Sequence, residues 1–168
     1  KIVHEKAKYY IQKLELEKHP EGGYFREVYR SGEIISIEAP KKNLNRNVST
    51  SIYFLLEGPQ ISKFHRLKSD ELWHFYDGGS VKVYVIDEKG KLTEIILGKK
   101  IEEGEVFQTV IKKNNWFAAE VVNKRSFALI GCTVSPGFDF SDFELADRKY
   151  LLETFPKHKS LISKFTKP

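Results

Sequence analysis

The sequence predicts an all-β chain whose strands close into a sandwich or barrel, and three observations predict it. From residue 49 onward, short β-favouring runs recur at spacings of 8 to 14 residues, each closed by turn chemistry. No helix-length segment separates these runs, which excludes a parallel sheet built on crossover helices. At 168 residues, 40% hydrophobic and 13% aromatic, the chain buries a core without help from a disulfide or structural metal. One domain over residues 1–168 is the expectation.

Taken in order, residues 4–14 place Ala7, Tyr10, Ile11 and Leu14 at three- and four-residue steps, the stripe of a short helix that docks on something larger. His19-Pro20-Glu21-Gly22-Gly23 stops that helix. The aromatic and β-branched residues 24–30 then read as a strand. Residues 38–47 are polar, basic and rich in asparagine, an exposed loop. Eight further strands follow at about 49–57, 60–67, 71–77, 80–87, 92–97, 105–111, 116–122 and 126–134, separated by turns such as Glu57-Gly58-Pro59 and Asp77-Gly78-Gly79. Ser135-Pro136-Gly137 ends the last of them. Ser141-x-x-Glu144 has the form of a capping box and predicts a helix start there, with Leu145, Tyr150, Leu151 and Leu152 on its apolar face. The basic segment 157–168, with Leu161, Ile162 and Phe165, reads as one more short helix.

Charge and cysteine content narrow the function. The net charge of +5 is spread along the chain beside acidic neighbours, so nucleic acid is not an expected partner. A single cysteine, Cys132, forms no intrachain bridge and no cysteine-based zinc cluster, which favours a reducing, cytoplasmic setting. Cys132 lies in an apolar run and reads as a small buried hydrophobe. Apolar stretches such as 52–56 fall far short of a membrane helix, and no signal peptide is read. There is no phosphate-binding glycine loop and no serine-hydrolase elbow.

The densest collection of ionisable and aromatic residues is Phe64-His65-Arg66-Leu67-Lys68-Ser69-Asp70-Glu71-Leu72-Trp73-His74-Phe75-Tyr76. Alternation puts Lys63, His65 and Leu67 on one strand face and Glu71, Trp73 and Phe75 on one face of the next. If the apolar members face inward, so do His65 and Glu71, as a hydrogen-bonded acid–base pair or as two ligands of a divalent metal. A polar pair that merely satisfies itself in the core is the competing reading. His74 falls on the opposite face unless a bulge brings it round.

These residues resemble the first motif of the cupin superfamily, G-x5-H-x-H-x3,4-E-x6-G, with Gly58, His65, Glu71 and Gly78 in its places, one extra residue before the histidine, and Leu67 replacing the second histidine. The second motif is fainter: Lys112 stands for its proline, Asn114 for its glycine and Phe117 for its histidine. The phrases HPEGGYFREVYRS, STSIYFLL, FHRLKSDELWHFYDG, GEVFQTV, NWFAAE and GCTVSPGFDFSDFELA resemble those of an uncharacterised cupin family similar in fold to RmlC-type nucleotide-sugar epimerases. That resemblance implies a jelly-roll barrel (a double-stranded β-helix) with short N- and C-terminal helices, a homodimer and a small-molecule pocket inside the barrel.

Three functions compete. The first is an epimerase- or isomerase-like enzyme acting on a sugar-like ligand, with His65 as acid or base, Glu71 orienting it, Trp73 and Trp116 as flat walls, and His74 and Gln108 as further ligand-binding candidates. Core packing is the competing role of each tryptophan. The second is a divalent-metal oxygenase with His65, Glu71 and either Gln108 or a displaced His74 as ligands, although the motif lacks two of its three histidines. The third is a binding protein without catalysis.

Overall fold

The β-favouring runs become two facing antiparallel sheets in the computed structural model, which describes residues 4–168. Strands β1 (Glu17–Lys18), β2 (Tyr24–Arg30), β5 (Thr50–Glu57), β12 (Phe127–Ser135), β7 (Asp70–Gly78) and β10 (Gln108–Ile111) form a six-stranded sheet in that order. Strands β13 (Glu144–Leu145), β6 (Ile61–Arg66), β11 (Trp116–Val121), β8 (Val81–Ile86) and β9 (Leu92–Leu97) form a five-stranded sheet. The inner faces meet in one core: Phe54, Trp73, Phe75 and Ile130 from the first sheet pack against Val83, Phe117, Ala119 and Val121 from the second. This is the jelly roll that the resemblance implies, and the nearly unbroken burial of β11 and β12 shows that both faces of those central strands are covered.

Short helices supply that second cover. Helix α1 (Glu5–Lys13), capped by the His4 side chain, lays Ala7, Tyr10 and Ile11 over Leu55, Phe127 and Leu129 on the outside of the six-stranded sheet. Helices α2 (Arg148–Thr154) and α3 (Lys159–Lys164) cover the outside of the five-stranded sheet, where Leu151, Ile162 and Phe165 pack on Phe64, Tyr84, Ile86 and Trp116. Each side chain fully buried this way contributes about 1.5–3 kcal/mol.

Two expectations about local structure are corrected. Residues 38–47 are not all loop: β4 (Leu44–Asn47) pairs with β3 (Ile34–Ile37), because a polar sequence still forms a ribbon when backbone groups are all that must be paired. The Ser141-x-x-Glu144 box does not start a helix. Its serine turns back to Asp139, Glu144 and Leu145 add to the edge of β6, and α2 begins later with Asp147 accepting from the Tyr150 N–H at 2.8 Å.

Three β-bulges shape the interior. In β6, Phe117 pairs with His65 but Ala119 pairs with Ser62, so His65 and Ser62 both face inward and Lys63, expected beside His65, is turned away. In β2, Glu27 pairs with Ile52 and Arg30 with Thr50, which brings two residues three apart onto the same inner face and leaves Val28 and Tyr29 exposed. The third lies in β7 at Tyr76, between the Phe75 and Asp77 pairings with β12.

Candidate functional site

A cavity of about 520 Å³ opens at one end of the barrel, within the range of small-molecule sites. Its deep end carries His65 from β6, Glu71 from β7, Cys132 from β12 and Glu21 from the turn before β2. Phe25, Ile52, Phe54, Val134, Phe138 and Phe143 make apolar walls, while Glu17, Glu27, Arg30, Asp139 and Phe140 stand at the mouth.

The turn that delivers Glu21 depends on two glycines. Gly22 has φ +114°, and a Cβ there would sit 2.1 Å from the Ile61 carbonyl oxygen; at Gly23, φ +78°, it would sit 2.7 Å from that of Leu55. Only glycine tolerates both the dihedral and the approach. The turn closes through His19 N–H to the Gly23 carbonyl at 2.9 Å, and Lys63 N–H donates to the Glu21 carbonyl at 3.0 Å, so the bulged strand fixes the acid's backbone.

His65 is held at both ring nitrogens. Nδ1–H donates to the Lys63 carbonyl at 2.7 Å, and Nε2 lies 2.5 Å from Glu21 Oε2. Both side chains are over nine-tenths buried. Burial alone would depress the imidazole, but the Glu21 charge and hydrogen bond, with the Lys63 carbonyl, raise it above its ordinary value. Burial alone would raise Glu21, and His65, through its charge and its hydrogen bond, holds it below the usual carboxylate range. Each partner therefore favours the charged form of the other.

Glu71 has the opposite character. It is 7% exposed, and burial, reinforced by the charge of Glu21 and opposed by that of His65, pushes its carboxyl up to about 7. Trp73 Nε1–H donates to Glu71 Oε1 at 2.9 Å. The Cys132 thiol, itself pushed far up by burial and the nearby carboxylates, hydrogen-bonds to the same side chain. His19 completes the deep end: burial lowers its pKa, its Nδ1 accepts the Glu21 N–H at 3.1 Å, and its ring stands edge-on to Phe25 at 4.6 Å.

His65 and Glu71 thus line one cavity, but the direct partner of His65 is Glu21. The other candidates lie elsewhere. Trp73 is buried in the core behind Glu71. Trp116 faces the opposite side of its sheet, under the Arg66 guanidinium at 4.4 Å, because Phe117 takes the inward position opposite His65. His74 keeps strict alternation and meets Thr133 on the outer face. Gln108 is cross-strand from His74 and exposed. Glu21 and His19 escaped sequence reasoning because a glycine turn was read only as a helix stop; titratable residues beside paired glycines were the available signal.

A divalent metal does not fit this donor set. The places of the two missing cupin histidines hold Leu67 and Phe117, and the Phe117 ring packs 4.0 Å from the His65 imidazole. Both His65 nitrogens already have partners. Among the described residues no three His, Cys, Asp or Glu side chains are grouped to hold a metal ion.

Residues 8–146 match the sequence pattern of Cupin_5, described as cupin superfamily (DUF985). The chain belongs to this cupin family. An uncharacterized protein of Saccharomyces cerevisiae, YML079W, is 33% identical over 144 residues, covering 79% of this chain and 71% of its own. Among solved structures, protein SO0799 of Shewanella oneidensis has a TM-score of 0.86 at 41% identity, covering 96% of this cupin and 98% of that chain. A hypothetical protein from Leishmania major has a TM-score of 0.88 at 32% identity over 96% and 99%. Bacillus subtilis oxalate decarboxylase shares the fold at a TM-score of 0.56 and 17% identity, over 88% of this cupin and 36% of that chain; it carries Mn(II) centres. No helix among the described residues is long and apolar enough to cross a membrane.

Proposed function

We propose that this cupin binds a small molecule in the barrel cavity and catalyses proton transfer on it, as an isomerase or epimerase does, with Glu71 as the proton carrier. The observation behind this reading is the division of labour at the deep end of the cavity. His65 and Glu21 form a fixed ion pair, whereas Glu71 sits among apolar groups and changes charge near neutrality, where a general acid or base works best. His65, the acid–base candidate from sequence, is instead a positioning residue: its Nδ1 is engaged by the Lys63 carbonyl and its Nε2 by Glu21, and its charge acts on Glu71 from close by. The aromatic walls exclude water and strengthen both interactions.

The test is exchange of a carbon-bound proton adjacent to a carbonyl. The protein is incubated in deuterated water with a panel of small carbonyl compounds, followed by proton NMR. The expected result is loss of one ligand signal with wild-type protein, slowed at least about 100-fold in Glu71→Gln. A compound that binds in the cavity without exchange, across the panel, would leave a binding protein without catalysis.

A further inference from the structure

The charges around the cavity do not balance, although the chain as a whole is basic at +5. Its lining holds the carboxylates of Glu17, Glu21, Glu27 and Asp139 and the carboxyl group of Glu71, against Arg30 and two histidines. Arg30 is committed to Glu27, Nη2 to Oε1 at 2.5 Å and Nε to Oε2 at 3.1 Å, an arrangement the bulge in β2 creates. His65 is committed to Glu21, and the buried His19 already accepts the Glu21 N–H at its Nδ1 at 3.1 Å, burial lowering its pKa. Asp139 accepts the Ser141 N–H and hydroxyl, at 2.8 and 2.6 Å; Arg46 and Arg30 act on it only at longer range, and among the described residues it forms no ion pair. Glu17 has no ion pair among the described residues. The two arginines nearest the mouth are already bonded, Arg30 to Glu27 and Arg46 to Asp142, while Glu17 and Asp139 have no ion pair among the described residues.

We infer that the ligand of this cavity is an organic cation, an ammonium compound with an apolar body, whose charge sits at the mouth between Glu17 and Asp139 beside the exposed Phe140 ring. Carboxylates attract the charge, and a phenylalanine face does so as well; the remaining aromatic walls accept the hydrocarbon. A carboxylate or phosphate, by contrast, would enter a low-dielectric space lined by like charge with nothing free to pair it. The shared fold with oxalate decarboxylase therefore does not extend to dianion binding, and a sugar-nucleotide diphosphate is disfavoured for the same reason.

This inference rests on the cavity being the ligand site, and the two fail separately, because it is read by binding alone. The probes are 2-phenylethylammonium, 2-phenylethanol and phenylacetate, matched in shape and differing in charge, titrated while the methyl resonances of Ile52, Leu67 and Val134 in the cavity wall are followed by NMR. The expected order is ammonium at least 10-fold tighter than the alcohol, with phenylacetate weakest. In the double variant Glu17→Gln, Asp139→Asn, which keeps the hydrogen bonds to Ser141 and substitutes surface positions, the ammonium should weaken toward the alcohol. Phenylacetate binding as well as the ammonium, an unchanged preference in the double variant, or no ammonium-induced shift at these methyls would overturn the inference. None of these results bears on whether Glu71 exchanges protons with a carbonyl ligand.

Discussion

Replacing Glu71 with glutamine should make the protein less sensitive to alkaline pH, and the structure sets the size of the effect. The wild-type carboxyl titrates at about 7 in the folded chain against an ordinary 4.5. At about 1.4 kcal/mol per pH unit, ionising it in place costs about 3 kcal/mol. Between those two values the folded state still holds a proton that the unfolded chain has released, so stability falls as pH rises through this window and stays low above it. Glutamine has no proton to lose, yet its amide oxygen can still accept from Trp73 Nε1 and Cys132. Urea unfolding of both proteins from pH 4.5 to 8 measures the difference. Wild type should lose about 3 kcal/mol more than Glu71→Gln across that range. Parallel profiles would refute the reasoning, because Glu71 would then titrate alike in both states.

Three further outcomes are expected. In Glu21→Gln the His65 imidazole loses the charge that offsets its burial, so its NMR titration midpoint should drop from above 6.5 to below it; an unchanged midpoint would contradict the ion pair. Gly22→Ala, which drives a Cβ into the Ile61 carbonyl at positive φ, should cost at least about 2 kcal/mol in urea unfolding, whereas a neutral result would mean the turn is free to relax. Arg46, whose Nε and Nη2 each reach Asp142 at 2.7 Å, pins the segment carrying Phe138, Phe140 and Phe143. Arg46→Ala should destabilise by about 3 kcal/mol and speed amide exchange in residues 138–143, and exchange at the wild-type rate would remove the anchor.

The fold was largely legible because strand spacing and turn chemistry are local, and seven of the eight later runs fall within about two residues of real strands. The exception is 105–111, where only Gln108–Ile111 pairs with β7 and Val106 forms an isolated bridge with Leu97. The cavity was legible where alternation holds. His65 and Glu71 turn inward with Trp73 and Phe75, as parity requires. Parity fails at the bulges: nothing in Tyr24-Phe25-Arg26-Glu27-Val28-Tyr29-Arg30 announces that Glu27 and Arg30 share a face. Trp116 was misplaced for a different reason, since neither face of β11 is exposed and hydrophobicity cannot say which one lines the barrel. Glu21 was missed because its contact with His65 spans 44 positions and depends on the path of a turn, which pattern reading along a chain does not see.

The most direct test of the account is the ionisation of Glu71 itself. Protein labelled with ¹³C at the glutamate side-chain carboxyl, assigned by comparison with Glu71→Gln, is titrated from pH 3 to 9 and the Glu71 carboxyl resonance is followed. The account predicts a midpoint near 7, separated from the other glutamates. A midpoint at the ordinary 4.5 would contradict it, since the group proposed to carry the proton would then be a permanent carboxylate at the pH where the protein works.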